Sequence, residues 1–264
     1  ISAAVIGKTK GRKLLATGDA KAGQDVVMTK WAGTEGTAIL AKEWEEGLCA
    51  YLSADELKNA QEMKNFLSVG NESVIAFEHG ATAMHDATEG GILGAVWEVA
   101  ECSGLGVDVF VENIPVKEET KKICEAMHID YLRLISSGCM MIIVHPDREE
   151  AVMEAIRNVG VDVTRIGRVM EQGAPRVLIG KDGVVREIDP PESDELYKAC
   201  IEELYPSNEA YRLNIANRNF TYLFVDDILF YQRPLKTKKS LIANCPYEEH
   251  VGIDKANGEE KKYG

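Results

Sequence analysis

One short stretch of the chain, Met84 to Gly94, combines residue types that bind anions and transfer protons. It reads Met-His-Asp-Ala-Thr-Glu-Gly-Gly-Ile-Leu-Gly. Gly90 and Gly91 remove side chains at the start of a predicted helix, where backbone N–H groups and the helix dipole favour an anion. Thr88 adds a hydroxyl donor, and His85 changes charge near neutral pH. The stretch therefore indicates a site for phosphate or for a polar substrate.

Two carboxylates in the same stretch modify this interpretation. Asp86 and Glu89 have the spacing of a capping box at a helix start. Their negative charges weigh against direct phosphate binding and suit a magnesium ion beside a phosphate, or capping alone. A purely structural alternative stays open, in which the glycines only let a helix pack closely on a sheet.

Three further features are weaker candidates. The stretch from Gly33 to Thr37 again places glycine and hydroxyl groups at a predicted helix start, but such caps are common. Ser136 and Ser137 precede a buried strand, where a tight turn is the simpler interpretation. Cys139 at the start of that strand and Cys102 on an apolar helix face are expected to be small core residues rather than nucleophiles.

A second kind of chemistry is suggested near the carboxyl end, in the segment from Phe230 to Lys239. Aromatic rings there adjoin basic side chains, a combination that binds RNA through stacking and phosphate contacts. The alternative is a solvated basic loop. The basic residues are Arg233, Lys236, Lys238 and Lys239.

Composition limits the remaining possibilities. The 264 residues carry a net charge of −13, so nucleic acid cannot be bound by bulk charge. No apolar run approaches the roughly 18 residues of a membrane span, and no secretory signal is evident. The six cysteines include no CxxC pair, and the histidines lack metal-ligand spacing. We expect a cytoplasmic protein with reduced thiols, no membrane contact and no metal held by its own residues.

The elements that position these residues read as alternating strands and helices. Their mixed order predicts an α+β fold, with a mixed sheet packed against helices and a short C-terminal appendage. Asp182 and Gly183 are expected to form a hairpin turn, and Ser193 to cap the last helix. The predicted strands are 13–17, 25–30, 107–111, 139–144, 161–169, 176–179 and 184–188, and the predicted helices are 34–44, 54–66, 72–79, 92–103, 116–127, 148–159 and 193–204.

The composition changes near residue 200, because residues 199–264 hold half of the aromatic residues of the chain. Such a shift indicates two segments of different origin. The chain begins with Ile1 in a strand-like stretch, so we expect a piece whose natural start is missing.

From Val5 to Tyr197 the chain resembles the C-terminal half of the aminoimidazole ribonucleotide synthetase-like superfamily. That group includes the hydrogenase maturation dehydratase, thiamine monophosphate kinase and selenophosphate synthetase. The resemblance is closest to hydrogenase maturation factors and synthetase-related proteins. The stretches that carry it are Thr17–Asp25, Thr29–Gly36, Met84–Gly91 and Ile135–Gly138.

The resemblance implies an ATP-dependent homodimer that acts on a small-molecule substrate. It makes residues 1–8 the last strand of a missing N-terminal domain that holds most of the ATP and Mg²⁺ ligands, and residues 9–198 the C-terminal domain. His85 to Gly91, together with Ser136 and Ser137, would contribute to a phosphate or substrate site, without an assigned catalytic residue. The chain alone is expected to show little turnover. A non-catalytic dimerisation scaffold is the alternative.

The segment from Asp227 to Cys245 resembles part of type II CRISPR RNA-guided nucleases, in their guide-handling region. No nuclease motif accompanies it. This resemblance implies that residues 199–264 are a foreign tail, joined somewhere in residues 198–215, and that any contact with nucleic acid is made through this tail.

Overall fold

The computed structural model describes residue 11, residues 14–204, and the short strands 252–253 and 260–261. The chain divides into two compact units, residues 1–196 and residues 197–264. The strand expected in residues 1–8 and the four basic residues expected to contact RNA lie outside the described residues.

The first unit alternates strands and helices, as the sequence predicts. Three short 3-10 helices cover Thr17–Asp19, Met63–Phe66 and Val111–Asn113. The strands are β1 (Asp25–Thr29), β2 (Ala81–Ala87), β3 (Gly106–Phe110), β4 (Cys139–Val144), β5 (Val163–Met170), β6 (Arg176–Ile179) and β7 (Val185–Glu187). The helices are α1 (Thr34–Glu43), α2 (Glu45–Leu48), α3 (Ala54–Glu62), α4 (Gly70–His79), α5 (Gly91–Ser103), α6 (Glu118–Ala126) and α7 (Pro146–Arg157), and α8 (Glu195–Leu204) runs from the end of this unit into the next. In the second unit, β8 (Gly252–Ile253) pairs antiparallel with β9 (Glu260–Lys261).

Seven strands form one mixed sheet in the order β2-β4-β1-β5-β3-β6-β7. All neighbours are antiparallel except β3 and β6, which run parallel. The α+β prediction with a mixed sheet packed against helices is therefore confirmed.

Helices cover both faces of the sheet, as the burial of strand β4 shows. All six of its residues are buried, because alternate side chains point to opposite faces and each face meets a helix layer. Cys139, Met141 and Ile143 belong to the core shared with α5. Met140 and Ile142 belong to the core shared with α7.

Two predictions for single elements are wrong. The strand predicted at 13–17 is wrong for its described residues, 14–17: Leu14 is 71% exposed, and Thr17 begins a 3-10 helix. Ser193 does not cap α8, because the Leu196 amide donates instead to Asp194 Oδ1 at 2.8 Å. The hairpin turn at 182–183 is confirmed, with Gly183 N–H donating to Gly180 O at 2.9 Å.

Within the described part of the chain, no helix combines the length and apolar character that crossing a bilayer requires.

Candidate substrate site

The predicted site residues gather at one end of the sheet. The last residue of β2, Ala87, pairs with the first residue of β4, Cys139. β1 is antiparallel to β4, so the carboxyl end of β1 lies at the same end of the sheet as the start of β4. The starts of α1 and α5 follow β1 and β2 directly. Both helix starts that the sequence singles out are therefore at this end, beside the turn that precedes β4.

The loop of residues 132–138 contacts both helix starts. Leu93 N–H in α5 donates to Leu132 O at 3.1 Å, and Gly36 N–H in α1 donates to Ile135 O at 3.0 Å. Ser136 is fully buried, and its hydroxyl accepts from Gly33 N–H and donates to Leu134 O, both at 2.8 Å. The loop thus supplies acceptors to amides that a helix start leaves without partners.

A carboxylate distant in sequence closes the turn before α5. Asp194 Oδ2 accepts from Gly90 N–H at 2.7 Å, and Oδ1 accepts from Ile135 N–H at 3.1 Å as well as from Leu196. Burial raises the pKa of Asp194 to about 6, against the opposing effect of these three hydrogen bonds. Asp194 therefore connects α5, the loop of residues 132–138 and α8.

The amides expected to form an open anion cradle consequently have partners within the chain. Gly90 N–H binds Asp194, and Gly91 N–H donates to Thr88 O at 3.1 Å. A Cβ atom on Gly91 would lie 2.6 Å from Leu132 O. Close packing, the structural alternative left open by the sequence, accounts for Gly91. A ligand role for these two glycines stays a prediction.

The capping box expected from Asp86 and Glu89 is not formed. The residue that caps α5 is Gly90, in the left-handed conformation, and it offers no side chain. Asp86 lies in β2 and Glu89 in the following turn, both ahead of the first helical residue. Both carboxylates, together with Thr88, are exposed.

His85 is half-buried, and both of its ring nitrogens have side-chain partners. Nδ1 lies 3.1 Å from the Thr17 hydroxyl, and Nε2 lies 2.7 Å from Glu98 Oε2. Ser137 is half-buried in the turn before β4. His85, Asp86, Thr88 and Glu89 are therefore accessible side chains at the end of β2 and in the turn that follows it, whereas Ser136 is enclosed.

Lys30 holds the same end of the sheet together from inside. Its side chain is 7% exposed, and Nζ donates to Ser68 O and Gly138 O, each at 2.7 Å, and to Phe66 O at 3.2 Å. Nζ also forms an ion pair with Glu72 Oε1 at 2.5 Å. This buried ammonium fixes the turn at residues 136–138 against the end of β1.

The four cysteines whose side chains the structure describes divide into buried and exposed thiols. Cys139 is fully buried, donates to Trp31 O at 2.7 Å, and has a pKa raised to about 12 by burial. Its predicted role as a core residue rather than a nucleophile fits this environment. The same prediction for Cys102 is wrong, because Cys102 is exposed.

A shallow cavity of about 330 Å³ lies beside the start of α5. Its apolar floor includes Leu93, Leu132 and Leu178. Its charged lining consists of Asp130, Arg133, Arg186 and Glu187, whose formal charges cancel.

Four residues of this region were missed by the reasoning from sequence. These residues are Thr17, Lys30, Glu98 and Asp194. Their partners at the site lie in other segments, for example 13 residues away for Glu98 and His85 and 104 residues away for Asp194 and Gly90. Only the acidic residue before the last helix had a local signal, since Asp is a preferred N-cap.

Known proteins share this architecture. The C-terminal domain described as AIR synthase related protein matches residues 21–180. Carbamoyl dehydratase HypE of Escherichia coli K12 is 33% identical over 123 residues, which are 46% of this chain and 36% of that protein. The putative hydrogenase expression/formation protein MJ0676 of Methanocaldococcus jannaschii is 27% identical over 176 residues, 63% of this chain and 51% of that protein.

The solved structure of E. coli HypE, a hydrogenase maturation protein, aligns with a TM-score of 0.58 and 26% identity, covering 71% of this chain and 56% of that one. The chain spans about half of the length of the relatives it matches, or less. The matched region contains His85 to Gly91 and the loop of residues 132–138. Because the match covers more than half of the chain, the chain belongs to the family of AIR synthase related proteins and contains their C-terminal domain.

Proposed function

We propose that this chain supplies the substrate-binding side of an ATP-dependent reaction of the hydrogenase maturation type. In that reaction a phosphoryl group is transferred to the oxygen of a carboxamide, and this activated oxygen is then displaced. Membership of the AIR synthase related family supports the proposal. The similarity to a protein named carbamoyl dehydratase also supports it. A HypE structure of similar fold was solved in complex with ATP, which fits a reaction that uses ATP.

The observation that carries the proposal is the group of exposed acceptors at the end of β2. Asp86 and Glu89 are carboxylates that accept hydrogen bonds, and Thr88 lies between them. A carboxamide NH₂ group presents two donors, which match such acceptors. A free phosphate would instead meet like charges, while the amides of Gly90 and Gly91 already have partners.

The described residues do not fit a complete ATP and Mg²⁺ site. In residues 14–204 and the two short strands, no three His, Cys, Asp or Glu side chains lie together as metal ligands. The helix-start amides that would hold phosphate have acceptors within the chain. We therefore assign nucleotide binding mainly to another domain. The dimeric scaffold and RNA contact through residues 233–239 stay predictions.

Nuclear magnetic resonance of the full chain tests the substrate assignment. Acetamide and acetate have the same size, but only acetamide carries N–H donors. We expect acetamide to shift the amide signals of residues 86–89, and acetate and inorganic phosphate to leave them unchanged. The double substitution Asp86→Ala with Glu89→Ala removes both side-chain acceptors and should abolish the shifts. Glu78→Gln, which changes an exposed carboxylate on α4, should retain them.

A response to phosphate without a response to acetamide would overturn the assignment. Isothermal titration of the full chain with ATP and Mg²⁺ tests the nucleotide part of the proposal. We expect no binding in the micromolar range, because the described residues lack a ligand set. Micromolar binding would contradict the assignment of the nucleotide to another domain.

A further inference from the structure

Three side chains from separate segments form a continuous hydrogen-bonded array beside the candidate site. Thr17 lies in the first 3-10 helix, His85 in β2 and Glu98 in α5. The Thr17 hydroxyl is 3.1 Å from His85 Nδ1, and His85 Nε2 is 2.7 Å from Glu98 Oε2. All three residues are half-buried, so solvent and small molecules can reach the array.

The packing of the 3-10 helix fixes this geometry. Gly18 lies against the backbone of α5, and a Cβ atom at that position would stand 2.6 Å from Cys102 O. The absence of a side chain lets the 3-10 helix approach α5 closely, which places the Thr17 hydroxyl within hydrogen-bond distance of His85 Nδ1. The array is thus held by backbone contact as well as by its own hydrogen bonds.

Only one proton arrangement satisfies every member of the array when the ring is neutral. An ionised carboxylate accepts and cannot donate, so His85 Nε2 must carry the hydrogen that is shared with Glu98. Nδ1 is then unprotonated and accepts, which makes the Thr17 hydroxyl the donor. Glu98 therefore selects the tautomer of His85, and His85 in turn orients the hydroxyl of Thr17.

We propose that Thr17, His85 and Glu98 form a proton-accepting relay, with Thr17 in contact with the substrate and Glu98 as a positioning residue. This inference rests on the proposed function. An N–H proton of the carboxamide passes to Thr17 Oγ1 while the proton of Thr17 passes to His85 Nδ1. The electron pair of the broken N–H bond stays on the carboxamide nitrogen, so the carboxamide gains one negative charge and the relay gains one positive charge.

The relay leaves His85 as an imidazolium between Thr17 and the carboxylate of Glu98. The opposite charge at 2.7 Å stabilises this cation, as a carboxylate does beside the histidine of a hydroxyl–histidine–carboxylate triad. General-base assistance of this kind contributes roughly 10²- to 10⁴-fold to a rate.

The tautomer of His85 tests the relay without any ligand. Nitrogen-15 spectra of the full chain, about two pH units above the ordinary histidine pKa of about 6.5, should show the proton of His85 on Nε2. His85→Asn assigns the signal. Glu98→Gln offers an amide donor to Nε2, so it should move the ring toward the Nδ1–H form. Thr17→Ser should preserve the native tautomer, and Thr17→Val should weaken its selection.

Proton exchange of acetamide, measured by magnetisation transfer, tests the transfer itself. The wild-type chain should accelerate N–H exchange, and Thr17→Val and Glu98→Gln should each reduce the acceleration roughly tenfold or more. Thr17→Ser and Glu78→Gln should retain it. A wild-type Nδ1–H tautomer, or unchanged exchange in Thr17→Val, would overturn the relay. A failure of the proposed function is detected separately, because acetamide would then not shift the amide signals of residues 86–89.

Discussion

The buried carboxyl group of Asp194 makes the stability of the protein depend on pH in a defined direction. Burial disfavours its charged form, while three amide hydrogen bonds favour it. The pKa is raised from 3.8 to about 6, so burial outweighs the hydrogen bonds. Because the folded state holds this proton more tightly than the unfolded state, the contribution is fully present below the unfolded pKa. It is lost as the pH rises through about 6.

The magnitude follows from the size of the shift. A shift of about two units at about 1.4 kcal/mol per unit corresponds to about 3 kcal/mol of unfolding free energy. Asp194→Asn removes the titration and keeps one oxygen acceptor, but places an NH₂ group against an amide donor. That mismatch costs about 1–3 kcal/mol at every pH. The stability of the wild type relative to the variant should therefore decrease by about 3 kcal/mol between about pH 4 and pH 7.

Urea unfolding followed by tryptophan fluorescence, in steps of about half a pH unit, measures this difference. Other carboxylates titrate in both proteins and cancel when the two curves are subtracted. A difference that is independent of pH would refute the reasoning. A difference that increases with pH would show that the three hydrogen bonds outweigh burial and that the pKa of Asp194 is lowered.

Three further substitutions or reagents test the packing around the site. Lys30→Met leaves the buried carboxylate of Glu72 unpaired and should lower the free energy of unfolding in urea by about 3–5 kcal/mol. Adding Glu72→Gln should restore part of the lost stability. Gly91→Ala places a Cβ atom against backbone carbonyls at positive φ and should cost more than about 2 kcal/mol, seen as a lower midpoint. Iodoacetamide should label exposed Cys49 in the native protein and Cys139 only after unfolding; equal native rates would contradict the described burial.

The sequence was sufficient for the parts of the fold that have local causes. The apolar run of β4 predicts a strand buried on both faces, and the glycine at residue 183 predicts the hairpin turn. The strand predicted at 13–17 is replaced in its described part by an exposed Leu14, at 71%, and by a 3-10 helix that begins at Thr17. Periodicity over so few residues does not separate the two structures.

The site was less accessible to sequence reasoning, because its contacts are long-range. His85 was identified by type and position, but its partner Thr17 is 68 residues away. Glu98 is closer, at 13 residues, yet only the packing of α5 on β2 directs it toward the ring. Spacing alone predicts the capping box, and this prediction is wrong because the helix begins at Gly91, after both carboxylates.

The closure of the turn by Asp194 also bears on which ligand the turn accepts. A phosphate bound to the amide of Gly90 would have to displace a carboxylate that the chain itself holds there at 2.7 Å. It would do so beside the exposed carboxylates of Asp86 and Glu89, which repel it. A carboxamide needs no displacement, because its donors can bind the exposed oxygens while Asp194 stays in place. Under the proposed function, Asp194, about a hundred positions from the glycines, thus makes the turn favour hydrogen-bond donors over an anion.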